Sequence, residues 1–455
     1  MNMKRMTTAA MALVVGALMA DVNVEDIKCT QRYPWNGLVD IEYTIACDDP
    51  EAEIYVNPVG FNGDTGLTVF PTHFTGDGAT NTVKAGRHTM VWDAKADMGN
   101  LFATKNFQIK MYAGKKLSRY IVIDISGGTE AETYPIRHSI EGPNLDDDTC
   151  RTTEIWMRLI PPGTFMMGSP EDELGRNNNE DLHKVTFTKP FYLGVFEVTC
   201  KQWELVCGTF PVQPTFSTAV DKDVRPVDAQ YLGSASLSMR GRMMPTADTG
   251  FSDSFVSRLR VRTNTSAFDL PSESRWEYAC RAGSLAALYN GDNISGPITS
   301  TSLGEVAAYY GNRYNEQSYN SGSTVVGTMR VGSYEPNALG LYDMLGNVWE
   351  VCRDGVSAYS ASSANIRLGY DDVVDPRVGA WDQRPNAGDS KAMYVVRGGC
   401  WQSMSIHCRC ARRDLVMFGN DYSVTSSGKA YLWKESGTGR NAAHVGFRVC
   451  AETDF

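Results

Sequence analysis

The run Gly340-Leu341-Tyr342-Asp343-Met344-Leu345-Gly346-Asn347-Val348-Trp349-Glu350 decides how the larger part of this chain is read. Asp343 and Glu350 supply hard carboxylate oxygens, and Gly346 permits a sharp turn that aims backbone carbonyls inward. That mixture suits calcium, which takes roughly six to eight oxygen ligands. Carboxylates so placed also serve as caps and turn formers without any metal. The run is therefore a calcium loop or a turn-forming pair.

Further segments punctuate the chain on either side. They are Ile160-Pro161-Pro162-Gly163-Thr164-Phe165-Met166-Met167-Gly168-Ser169 and Phe191-Tyr192-Leu193-Gly194-Val195-Phe196-Glu197-Val198-Thr199. Next come Leu270-Pro271-Ser272-Glu273-Ser274-Arg275-Trp276-Glu277-Tyr278-Ala279-Cys280-Arg281, Arg397-Gly398-Gly399-Cys400-Trp401 and Gly446-Phe447-Arg448-Val449. Convincing helices are few. One is expected over 201–207 with Thr199 as N-cap, and one over 272–281 with Ser272 as cap and Glu273 in the first turn. Between 283 and 398 the pattern is turns and short extended pieces. So long an irregular stretch calls for staples, either disulfides or metal ions.

Taken in order, these segments resemble the formylglycine-generating enzyme (sulfatase-modifying factor) family. The resemblance implies an α+β, coil-rich fold of the C-type-lectin-like kind over residues 150–455. It also implies a structural calcium held by the side chains of Asp343 and Glu350 and the carbonyls of Gly346 and Val348. The motif of a second family calcium site is not evident near residues 307–319. Active members oxidise a substrate cysteine to formylglycine with oxygen and copper(I), the metal lying between two cysteine thiolates, ligands that suit a soft ion. The family pattern places those cysteines at Ser403 and Cys408, and Cys400 replaces the serine that follows the two glycines. Cys408 is thus the candidate catalytic residue, and copper a cofactor only on the enzymatic reading. Relatives without both copper cysteines carry cysteines matching Cys352 and Cys408, which implies a Cys352–Cys408 disulfide. Cys280, Cys400, Cys410 and Cys450 remain for bridges that the sequence does not assign.

The N-terminal third reads differently. Lys4 and Arg5, an apolar run over 11–20 and then Asp21 describe a secretory signal peptide over residues 1–20; a buried helix is the other reading. The run is too short to span a bilayer, so the mature chain is expected to be exported, with no transmembrane segment. Residues 21–126 read as an all-β accessory module. Val39-Asp40-Ile41-Glu42-Tyr43-Thr44-Ile45 alternates strictly, residues 88–92 and 107–111 offer further strands, and Tyr120-Ile121-Val122-Ile123-Asp124-Ile125 is short and β-branched. Such spacing suggests an immunoglobulin-like sandwich, in which Cys29 and Cys47 could pair. Residues 127–149, with Gly127-Gly128, Gly142-Pro143 and Asp146-Asp147-Asp148, read as a linker.

The chain has 455 residues and a net charge of -10 without a long basic run, which disfavours nucleic acid as a partner. None of its 11 cysteines forms a CxxC pair, which counts against structural zinc, and its 6 histidines show no metal-binding spacing. Two functions then compete. In the first, an exported binding or scaffold module uses Trp401, His407 and Trp433 on an adaptable surface to hold a protein or glycan ligand. In the second, a copper-dependent oxidase generates formylglycine on exported sulfatases.

Overall fold

The structure is a computed structural model that describes residues 22–98, 106–208, 221–228, 254–313, 327–357, 373–376, 392–417, 431–432 and 444–453. The signal-like segment over 1–20 and Trp433 lie outside them. Among the described residues no helix is long and apolar enough to cross a membrane.

The alternation at residues 39–45 becomes strand β2 (Leu38–Cys47), with Val39, Ile41, Tyr43 and Ile45 facing inward. It pairs antiparallel with β1 (Val22–Gln31) and β6 (Gly86–Asp93), and β5 (Phe74–Gly76) extends this sheet. A second sheet joins β3 (Tyr55–Asn62), β4 (Leu67–Val69) and β7 (Phe107–Gly114). The inner faces of both sheets share one cluster that includes Ile41, Tyr43, Val56, Met90, Trp92 and Met111. Cys29 and Cys47 do not pair. Cys29 lies opposite Ile41 and Cys47 opposite Val22, so roughly 20 Å of strand at ~3.3 Å per residue separates them.

The chain divides into two units, Met1–Arg119 and Tyr120–Phe455, which corrects the expected boundary at 126. Strand β8 (Tyr120–Asp124) belongs to the second unit, between β9 (Ile136–Ser139) and β10 (Glu154–Ile160). Its run Ile121-Val122-Ile123 is buried throughout, as a strand covered on both faces must be. Residues 127–149 are accordingly no linker, since β9 lies within them. The sheet continues through β13 (Phe191–Gly194), β21 (Cys450–Glu452) and β14 (Phe268–Asp269).

Two further sheets complete the unit. One orders β11 (Gly163–Met167), β12 (His183–Phe187) and β16 (Val373–Val374). The other runs β19 (Tyr431–Leu432), β18 (Arg413–Met417), β17 (Ala392–Arg397), β15 (Trp349–Ser357) and β20 (Val445–Gly446). Both expected helices form. The Cys200–Cys207 helix starts on a capping box between Thr199 and Gln202, and the Glu273–Arg281 helix has the Ser272 side chain accepting from the Arg275 N–H. A third helix, Phe255–Thr263, capped by Ser254, was not expected.

The boundary has a direct test. A fragment starting at residue 120 should unfold in one cooperative thermal transition followed by circular dichroism. One starting at residue 127 loses β8 from the interior of its sheet and should aggregate or melt without cooperativity.

Candidate functional site

The segments singled out in the sequence converge on buried charge. Glu350, at the start of β15, receives Arg448 Nε and Nη2, both at 2.6 Å, and Trp276 Nε1 at 2.8 Å. The remaining Arg448 donors reach the carbonyls of Gly194, Val195 and Tyr342 at 2.9 to 3.3 Å. One guanidinium thus ties together four of the sequence segments.

Beside it, Glu197 accepts from Asn347 Nδ2 at 2.6 Å and from the Val348 N–H at 3.2 Å. Burial, reinforced by Asp343 and Glu350, pushes the Glu197 carboxyl well above its usual range. Asp343 is pushed up to about 6, chiefly by burial, and its Oδ2 accepts from the Gly332 N–H at 2.6 Å. Gly346, at φ +80°, lies so close to the Ala308 carbonyl that a side chain there would collide with it.

This donor set does not fit the calcium cradle expected at Asp343, Gly346, Val348 and Glu350. Both Glu350 oxygens face a guanidinium, which already supplies the positive charge a calcium ion would bring. Among the described residues no group of three or more His, Cys, Asp or Glu side chains could hold a metal. Glu350 lies instead in β15, paired with Arg448, while Asp343 ties down the Gly332 amide.

A second charged layer surrounds the Glu273–Arg281 helix. Glu273 pairs with Arg413, and Glu277 with Arg397 and with Arg281 at 2.8 Å. Asp354 Oδ2 accepts the Glu273 N–H at 2.6 Å, closing the start of the helix. Burial first, and the neighbouring Glu273 second, raise the Asp354 carboxyl to about 7.

The closing segment carries the cysteines. The Ser403 hydroxyl accepts from the Cys400 N–H at 3.0 Å and lies 3.4 Å from Cys400 Sγ. Cys408 is fully buried, so close under Gly399 that a side chain on that glycine would meet its sulfur at 2.5 Å. Burial, then the nearby Cys400, raises the Cys408 thiol well above its usual value. Cys352 and Cys408 are not joined by a disulfide. Their charged surroundings differ: Asp354, Glu273 and Arg397 act on Cys352, and Arg412 and Arg409 on Cys408. Trp401, expected on a binding surface, is instead fully buried, its ring 4.8 Å from that of His444. His407, next to Cys408 in sequence, is half-buried.

The sequence reading missed a buried pair. His444 Nδ1 lies 3.0 Å from Asp228 Oδ2, and its Nε2 has no hydrogen-bond partner among the described residues. The two are 216 residues apart, so no local pattern signals the contact.

Two outcomes follow for these charges. Glu350→Ala leaves Arg448 buried without its partner and should cost about 3–5 kcal/mol in denaturant unfolding. Asp354 holds its proton to about 7 in the folded chain against an ordinary 3.8, so the folded state binds more protons between those values. Its contribution is present at low pH and lost as pH rises through that window. Asp354→Asn should therefore flatten the fall in stability between about pH 4 and about pH 7 measured by urea unfolding.

Residues 144–452 match the family model described as the sulfatase-modifying factor enzyme 1-like domain. The serine/threonine-protein kinase pkn1 of Chlamydia pneumoniae is 31% identical over 32% of this chain, which spans only 18% of that kinase. The formylglycine-generating enzyme of Mus musculus is 23% identical over 63% of this chain and 77% of the enzyme. Among solved structures, PvdO from Pseudomonas aeruginosa is 26% identical over 65% of this chain and 94% of that one, with a TM-score of 0.38. With its signature segments gathered around Glu350 and Arg448, the chain belongs to the sulfatase-modifying factor enzyme 1-like family.

Proposed function

We propose that this chain is an exported, non-oxidising member of its family, used as a binding or scaffold module. The observation that carries the reading is the engagement of Ser403. At the position where the family pattern calls for the first copper cysteine, a hydroxyl accepts a backbone hydrogen bond within its own turn. A hydroxyl is hard where copper(I) needs a soft thiolate, and the buried Cys408 thiol resists ionisation. The residues present do not fit a two-thiolate copper site at Ser403 and Cys408.

Recognition is supported by the surface next to this turn. Met404 is 40% exposed and Ile298 49% exposed, and the Ser405 N–H bonds the Ile298 carbonyl at 3.1 Å. Leu174 is 44% exposed and precedes Gly175, which packs against Ile406. Large apolar side chains gathered on segments so joined suit a protein or glycan ligand. The basic and then apolar start of the sequence, residues 4–20, supports export.

One observation favours the oxidase as a second reading: Cys400 Sγ lies 3.4 Å from the Ser403 hydroxyl, at the place of the first copper cysteine. Copper(I) titration of the purified chain, followed by thiolate-to-metal absorption, separates the two. The binding reading expects no stoichiometric band and no oxygen consumption with a cysteine-containing peptide. A one-to-one band abolished by Cys408→Ala, with oxygen uptake on the peptide, would overturn it.

A further inference from the structure

The tip of the β1–β2 hairpin, in the N-terminal unit, plays no part in the site described so far. Among the described residues, Tyr33 and Trp35 are the two aromatic side chains left largely in solvent, at 95% and 57% exposure. Other rings of this unit behave oppositely. Tyr43 and Trp92 are buried in the core, and Trp92 stacks on Phe74 and Phe107 with centroids 6.4 and 5.1 Å apart. A buried Tyr or Trp removes roughly 150–250 Å² from water, so two such rings held out on one loop forgo a large gain.

The loop that carries them is tied down at its base. The Arg32 N–H donates to the Leu38 carbonyl at 3.2 Å, the Leu38 N–H to Asn36 Oδ1 at 3.1 Å, and the Lys95 N–H to the Gly37 carbonyl at 3.3 Å. Gly37, at φ +89°, lies so close to Lys95 that a side chain there would meet the lysine Cβ at 2.5 Å. The polar groups beside the rings are ordered too. Arg32 Nε and Nη2 donate to the Asp40 carboxylate at 3.0 and 2.7 Å, and both side chains are half-exposed. A tip fixed in this way has little conformational freedom left to lose on binding.

We propose that this tip is a second ligand site, where Tyr33 and Trp35 stack on a flat, uncharged, β-1,4-linked hexose polymer. Charge rules out the other surface that suits aromatic tips, an anionic bilayer. Such a surface attracts unpaired cations, but Asp40 already neutralises Arg32, and the whole chain carries a net charge of -10. A neutral polymer needs no counter-charge. Shape decides the rest. Rings so exposed have no walls around them, so they do not enclose a single sugar as a pocket does. A β-1,4-linked chain offers instead a broad face of C–H bonds for the rings, and its equatorial hydroxyls reach sideways to groups such as Arg32, Asp40 and Asn36. The tip lies in a different unit from the Ser403 turn, so the proposal holds or fails independently of the copper titration.

Sedimentation with insoluble polymers tests it. The full chain is mixed with microcrystalline cellulose and, separately, with chitin, and the unbound fraction is measured after centrifugation. The expected result is saturable retention on at least one of these polymers. Retention should not change between about 0.05 and about 0.5 M sodium chloride, because no charge is neutralised on binding. Tyr33→Ala and Trp35→Ala should each weaken it about tenfold, and the double variant should abolish it. Both side chains lie in solvent, so these variants should melt at the wild-type temperature. Vesicles of phosphatidylcholine and phosphatidylglycerol are the competing probe. Retention on neither polymer, retention that the double variant preserves, or cosedimentation with the vesicles that the double variant loses, overturns the proposal.

Discussion

The ion pair between Glu350 and Arg448 is the contact on which the larger unit depends. A guanidinium has five donors, and all those of Arg448 are spent: on Glu350 twice and on the carbonyls of Gly194, Val195 and Tyr342. These partners come from β13 and its following residue, the Gly340–Glu350 run and β15, while Trp276 binds the same carboxylate from the Glu273–Arg281 helix. A buried pair is worth little in net stability when compared with apolar residues that fit the same space. Its effect is on specificity, because any other arrangement leaves a charge or several donors stranded away from water. Irregular backbone is permitted here because side chains satisfy it.

How much of this was legible follows from the same physics. Local signals were read correctly: the alternation at residues 39–45, and the caps Thr199 and Ser272 ahead of their helices. Tyr120-Ile121-Val122-Ile123 was assigned to the wrong unit, although its lack of alternation already marked a strand covered on both faces. The short Phe255–Thr263 helix, polar over much of its length, gave too weak a period to be seen. At the site, the sequence singles out Asp343 and Glu350 as carboxylates for calcium or a turn, and Glu350 lies in β15 against Arg448. Their partners were beyond reach, since Arg448 lies 98 residues from Glu350 and no spacing rule connects them. A carboxylate in a turn looks alike whether a metal or a guanidinium will neutralise it.

The cysteines fail for a related reason. A pairing inferred from family positions at 352 and 408 supposes that two sulfurs face one another, and here both are free, buried thiols. The contact that does form, Cys280 with Cys410, depends on the angle at which a helix end meets the closing segment. The same helix is held to the closing segment by Arg397 and Arg413, which pair with Glu277 and Glu273.

This ordering bears on what the signature segments mean. Glu197, Trp276, Glu277, Glu350 and Arg448 are all buried and bonded to other buried side chains or to backbone. A residue whose every polar atom is satisfied internally has nothing left with which to meet a substrate. The segments that identify the family thus describe a frame, and the chemistry must come from groups the frame presents. In this chain those are the Cys400–Cys408 turn and the apolar side chains beside it, Met404 and Ile298. Ser403 binds the backbone of its own turn, where the family pattern calls for a thiolate. The same frame is compatible with an oxidase or a recognition module, and the function proposed turns on that side chain.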